Sequence, residues 1–129
     1  MPLDYRGVPG AVSRMLVEPP GRALEAALER RVVRLRCKED EEGVELYVFH
    51  GKDRDYLVFP GRFCTCKDFE LNVVIRRAKG ACYHLVAYEI SRARNSLRDV
   101  KVTCEVLFNV VLEVLLTQKS PTLQRLLLT

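Results

Sequence analysis

The sequence predicts an α+β fold: an N-terminal helix, a three-stranded antiparallel meander, a cysteine-rich strand-to-helix junction and a C-terminal apolar helix. Three observations predict it. Apolar residues recur at helical spacing before residue 31, switch to strict alternation from Val33, and return to helical spacing after His84. Turn signals at Glu39–Gly43 and His50–Asp53 divide the alternating stretch into three. Apolar residues make up 48% and charged residues 29% of the 129 residues, the balance of one globular domain able to bury a core.

Residues 1–20 hold Pro2, Pro9, Pro19, Pro20, Gly7 and Gly10, which argues for a lead-in segment with at most a short helix over Ala11–Val17. Pro20 suits the first turn of a helix, and Ala23, Leu24, Ala27 and Leu28 then form one apolar face, so a helix is expected over 21–31. Val33, Leu35 and Cys37 alternate with Arg34, Arg36 and Lys38, the pattern of a half-exposed strand. Val44, Leu46 and Val48 give a second strand, and Asp55–Phe59 a third that Pro60-Gly61 ends. Val86, Ile90, Ala93 and Leu97 mark an amphipathic helix from His84 to Asn95. Val102–Thr117 reads as a helix apolar nearly all round, and Ser120-Pro121 restarts a short leucine-rich tail.

The strongest chemical signal is Cys64-Thr65-Cys66, fifteen residues, then Cys82-Tyr83-His84. Three thiolates and an imidazole form an accepted tetrahedral set for zinc, so Cys64, Cys66, Cys82 and His84 are the candidate ligands of one structural Zn²⁺. Positions i and i+2 of a helix lie about 200° apart, so Cys82 must precede the helix that carries His84. Gly80 and Ala81 supply small residues for that entry, while Cys64 and Cys66 follow the third strand. Four protein ligands leave no position for a reacting water, and neither the deaminase nor the His-Glu-x-x-His signature occurs. No catalysis is expected. A redox sensor would instead need exposed, activated thiolates.

Cys-x-Cys, a variable gap and Cys-x-His resemble the SWIM zinc-finger family, with Phe69 three residues after the second cysteine and Ala87 three after the histidine looking like family positions. The resemblance covers about residues 32–95. It implies a division into the lead-in segment 1–20, a SWIM domain with its preceding helix and meander over 21–97, and a C-terminal helical segment over 98–129 that offers an interaction surface. Stand-alone SWIM proteins of this size look like the SWIM subunit of Shu-type complexes, which pair with a paralogue of the RecA-family recombinases in homologous recombination. That subunit is the leading expectation. An independent nucleic-acid-binding zinc module, with homodimerisation as an option, is the alternative.

Several other residues bear on these expectations. Residues 62–101 carry nine Lys or Arg against four Asp or Glu, and Arg76, Arg77 and Lys79 within the ligand-spanning loop are candidate phosphate or single-stranded DNA contacts. The chain's formal charge is only +4, so such binding would be weak and salt-sensitive. The C-terminal helix holds more apolar residues than one face can bury, and Phe108, Val111, Leu112 and Leu115 are the candidate partner interface. Tyr47, Phe49, Tyr56 and Phe59 read as core rather than as a stacking platform. His50 reads as a surface residue. Cys37 and Cys104 read as core packing, since an odd count of five cysteines without a secretion signal argues against a disulfide framework. No apolar run reaches membrane-spanning length, so a cytoplasmic location is expected, or a nuclear one in a eukaryote. Scarce Asn and Gln beside abundant Arg, Glu, Val and Leu give the bias of heat-adapted proteins.

Overall fold

The computed structural model describes residues 21–39, 43–77 and 81–128. The lead-in segment and its short helix lie outside the described residues. The order is α1 (Gly21–Leu28), β1 (Val32–Cys37), β2 (Glu45–His50), β3 (Asp55–Phe59), β4 (Phe63–Cys64), a π-helix (Phe69–Ile75), α2 (Tyr83–Ala93), β5 (Arg98–Val102), α3 (Cys104–Thr117) and α4 (Pro121–Leu127). The fold is α+β, and the expected meander β1-β2-β3 is the centre of a five-stranded mixed sheet in the order β4-β3-β2-β1-β5.

Each face of this sheet carries a core, and β1 is the half-exposed strand expected at Val33, with Val33 and Leu35 buried and Arg34 and Arg36 part-exposed. Val32 packs with Phe49, Val58 and helices α1 and α2 in one core. Its neighbours Val33 and Leu35 pack with Val48, Leu57, α3 and Leu123 of α4 in a second. Successive strand residues point to opposite faces, so adjacent pairs such as Val48-Phe49 and Leu57-Val58 serve one core each. β5, where the C-terminal helical segment was expected to begin, runs parallel to β1, pairing Val33 with Arg98 and Cys37 with Val102. Arg34 donates to Asp99 at 2.9 Å, and Arg36 also bonds this carboxylate. Burial opposes the charge on Asp99, but its bonds to Arg34 and Arg36 prevail and hold its carboxyl below the ordinary value.

Helices stop where the chain turns left-handed at residues that are not glycine. Helix α1 ends at Leu28 rather than near residue 31, because Arg30 adopts φ 56° while Arg31 N donates to Ala26 O and Arg30 N to Ala27 O. Asn95 (φ 55°) closes α2 in the same way, and Gln118 (φ 60°) closes α3. At the β2–β3 turn Gly51 N donates to Arg54 O at 3.0 Å, and a Cβ at Gly51 would collide with that carbonyl.

The α3–α4 turn is clamped by two carboxylates. Asp55, 2% exposed, accepts from Ser120 N at 2.8 Å and pairs with His50 Nδ1 at 2.7 Å, so His50 is part of this clamp and not a free surface residue. Glu113 accepts from Ser120 Oγ, Thr122 N and Thr122 Oγ1 at 2.8, 3.0 and 2.7 Å. Burial works against the ionised form of Glu113, but its donors Thr122 and Ser120 outweigh it and lower its pKa. A carboxyl with a lowered folded pKa contributes stability above its unfolded pKa and loses it as pH falls through the folded value. Glu113→Gln is therefore expected to cost about 1.5 kcal/mol at neutral pH and almost nothing in acid. Urea titrations at both pH values check this. Equal losses at both would exclude the carboxylate as the cause.

Candidate metal centre

Cys64 closes the short strand β4, and pairing with β3 continues past it: Leu57 N donates to Thr65 Oγ1 at 3.0 Å and Thr65 N to Leu57 O at 3.1 Å. The chain then bends at Thr65 and Cys66, and both Cys64 and Cys66 are buried. Cys82 is the N-cap of α2, with extended backbone (φ −85°, ψ 165°), and His84 lies in the first turn. The two pairs converge where a strand end meets a helix start, as their spacing requires.

All four side chains are buried, none more than 4% exposed. His84 Nδ1 stands 3.7 Å from Cys64 Sγ, and the four ligand atoms lie within 4.8 Å of one another. Bonds of about 2.0–2.3 Å to a tetrahedral ion separate its ligands by roughly 3.5–3.8 Å, so the cluster can hold one metal ion with little adjustment. Phe69 N donates to Cys66 Sγ at 3.3 Å, which fixes that sulfur and gives Phe69 a role in the site. His84 Nε2 has no partner among the described residues and is enclosed by the rings of Phe49, Tyr56 and Tyr83, whose centroids lie 4.3, 4.6 and 4.1 Å from that of the imidazole.

The three thiols shift one another's acidity. Hydrogen bonds from Cys64 and Cys82 draw Cys66 far below a normal thiol. Cys64 moves the other way, chiefly because it donates to Cys66. Cys64 beside it favours the Cys82 thiolate, but Cys66 and burial push Cys82 up to about 11. A divalent cation supplies the positive charge that lets all three ionise together.

The ligand-spanning segment is not a plain loop. It contains the π-helix, steadied by Asn72 Nδ2 donating to Asp68 Oδ1 at 2.7 Å. Arg76 and Arg77 are exposed at its end, whereas Lys79 and Gly80 lie outside the described residues. A cleft of about 580 Å³ opens beside the cluster, lined by Arg22, Tyr56, Cys66, Lys67, Tyr83 and His84. Arg22 stands over the Tyr83 ring at 4.4 Å, a cation–π contact that sequence reasoning missed because the two are 61 positions apart. The four strand aromatics do not form one platform. Tyr47, Phe49 and Tyr56 face the metal side, while Phe59 packs against the other core.

One further correction concerns cysteines. Cys37 and Cys104 are not independent core residues: they are bonded to each other as a disulfide, with Cα atoms 4.8 Å apart. Glu39 accepts from Cys104 N at 2.9 Å beside them. Cys64, Cys66 and Cys82 remain free thiols.

Of the candidate interface residues, Phe108, Leu112 and Leu115 are 65%, 45% and 56% exposed, and Val111 is half-buried against the second core. Leu116 joins them at 79%. No helix among the described residues is long and apolar enough to cross a membrane. Compared with known protein families, curated proteins and solved structures, the chain matches none.

Proposed function

We propose that this chain is a zinc-stabilised binding subunit of SWIM type, without catalytic activity, that partners a RecA-family recombinase paralogue in homologous recombination and DNA repair. The observation that carries the proposal is the buried convergence of Cys64, Cys66, Cys82 and His84, in the Cys-x-Cys and Cys-x-His order, on one strand-to-helix junction. Three thiolates and an imidazole suit zinc, and four protein ligands complete its tetrahedron, which makes the ion structural. Bound zinc would tie the end of the sheet to the start of α2. The partner class comes from the family resemblance. The apolar outer face of α3 supports a role in assembly, since surplus exposed apolar surface marks interaction sites.

Native mass spectrometry of the protein isolated gently from its own cells tests the reading, because one spectrum reports metal and partners together. The expected result is one zinc per chain and a recombinase-like partner. A metal-free protein would overturn the zinc assignment, and zinc without such a partner would overturn the recombination role.

The cleft favours a second reading, a nucleic-acid-binding zinc module. Arg22, Lys67, Tyr56 and Tyr83 put cations and aromatic faces side by side there, with Arg76 and Arg77 exposed at the end of the π-helix. Under this reading the isolated protein binds single-stranded oligonucleotides with an affinity that falls steeply with salt. No binding at low salt would exclude it.

A further inference from the structure

A second group of metal-ligating side chains lies apart from the centre described above, on the side of the second core. Cys37 ends β1, Cys104 opens α3, and the ligand atoms of Cys37, Glu39 and Cys104 lie within 4.8 Å of one another. Features of the fold other than the disulfide hold this corner together. The parallel ladder pairs Cys37 with Val102, and Lys38 N donates to Val102 O at 2.8 Å, so β1 and β5 end side by side. Thr103 caps α3 by accepting from Val106 N, which makes Cys104 the first helical residue. The N–H of Cys104 has no acceptor within its own helix and donates to Glu39 at 2.9 Å, which sets a carboxylate beside the two sulfurs.

We infer that reduction of the Cys37–Cys104 bond turns this corner into a second metal site, in which two thiolates and the Glu39 carboxylate hold one divalent cation of the zinc class. The inference stands apart from the reading of the chain as a recombination subunit. The redox step is thiol–disulfide exchange with a small dithiol. One reductant thiolate attacks a sulfur of the bond and displaces the other cysteine as a thiolate. The second reductant thiol then releases the first cysteine and closes the reductant's own disulfide. The dithiol loses two electrons and two protons, and Cys37 and Cys104 gain them as thiols. The cation displaces both thiol protons to solvent and binds the two thiolates.

The donor set and the geometry fit that cation. Thiolate and carboxylate are both zinc ligands, and two sulfurs on one tetrahedral ion stand about 3.8 Å apart. Side-chain rotation can supply that separation from Cα atoms 4.8 Å apart once the bond is open. Both cysteines are half-buried and Glu39 is exposed, so a reductant and an ion can reach them. Three protein ligands leave the fourth position to water, which makes this site more open than the four-ligand centre. In the oxidised chain a covalent bond ties β1 to α3; in the reduced chain the ion takes over that tie.

The test is equilibrium dialysis of the full-length chain against micromolar zinc, before and after reduction by a dithiol that is then removed under inert gas. Elemental analysis reads metal content, and circular dichroism checks folding. Reduction should add one zinc per chain to whatever the oxidised chain holds, and excess zinc should raise the unfolding midpoint of the reduced chain. Cys37→Ser and Cys104→Ser should each take up no added zinc. Glu39→Ala should weaken the added zinc by about tenfold or more, since a lost ligand costs at least what a lost supporting partner does. No added zinc on reduction would overturn the site, as would added zinc that both serine variants retain. Undiminished affinity in Glu39→Ala would overturn the part given to the carboxylate. Because the readout is a difference between redox states, it survives failure of the first centre: no zinc when oxidised and one when reduced would refute the four-ligand centre and uphold this one.

Discussion

Replacing His84 with alanine, or Cys66 with serine, is expected to remove the metal and abolish cooperative unfolding of the chain. Zinc bound at a structural site contributes about 10–16 kcal/mol to folding of small modules, against about 5–15 kcal/mol for the whole stability of a typical domain. The contribution cannot be spread thinly here. Cys64, Cys66 and Cys82 are members of the core that holds α1, α2 and one face of the sheet. Removing one ligand leaves unneutralised thiolates inside that core, where burial penalises charge. Metal content by elemental analysis, with thermal unfolding followed by circular dichroism, checks the result. Normal melting of both metal-free variants would refute a structural role.

Reducing the Cys37–Cys104 bond should destabilise the protein by about 4 kcal/mol, the chain-entropy value for a loop of this length. The cysteines are separated by 67 positions, and the loop they close contains every candidate metal ligand. The bond constrains the unfolded chain most, because it joins the end of β1 to the start of α3. Guanidinium titrations with and without a thiol reductant measure the difference. Cys37→Ser should reproduce the reduced midpoint and make the protein insensitive to reductant, while leaving metal content unchanged. Thiol titration of the denatured wild type in the presence of a chelator should find three thiols rather than five. Five would show that the bond does not form in solution.

The metal cluster was legible because its information is local. Cys-x-Cys at a strand end and Cys-x-His across a helix start each bring two ligand side chains close together, and the structure has both. Strands β2 and β3 were legible through alternation, and β3 starts and ends where Asp55 and Phe59 were expected to bound it. β5 was not, since Arg98, Asp99 and Lys101 leave only Val100 and Val102 as apolar alternation. Its partners, Arg34 and Arg36, lie more than sixty positions away. The disulfide was hidden for the same reason: Cys104 reaches Cys37 only after β5 has paired beside β1. The ends of α1 and α2 were blurred because Arg30 and Asn95 adopt the left-handed turn where glycine would have announced it, whereas α3 ends at Thr117 as expected. Arg30 carries little of the turn signal that glycine gives.

The parallel pairing of β5 with β1 also orders the events of folding. The hairpins β1-β2 and β2-β3 join neighbours in sequence and can close within microseconds. β5 must find a strand from which it is separated by three other strands, the π-helix and α2. Loop closure over such a distance costs entropy before any contact repays it, and proteins rich in distant pairings fold slowly. A metal gripping Cys64 and Cys66 together with Cys82 and His84 would shorten that search, because it ties off much of the intervening chain before β5 arrives. The ion would thus act as a catalyst of assembly for the opposite edge of the sheet, where none of its ligands lie.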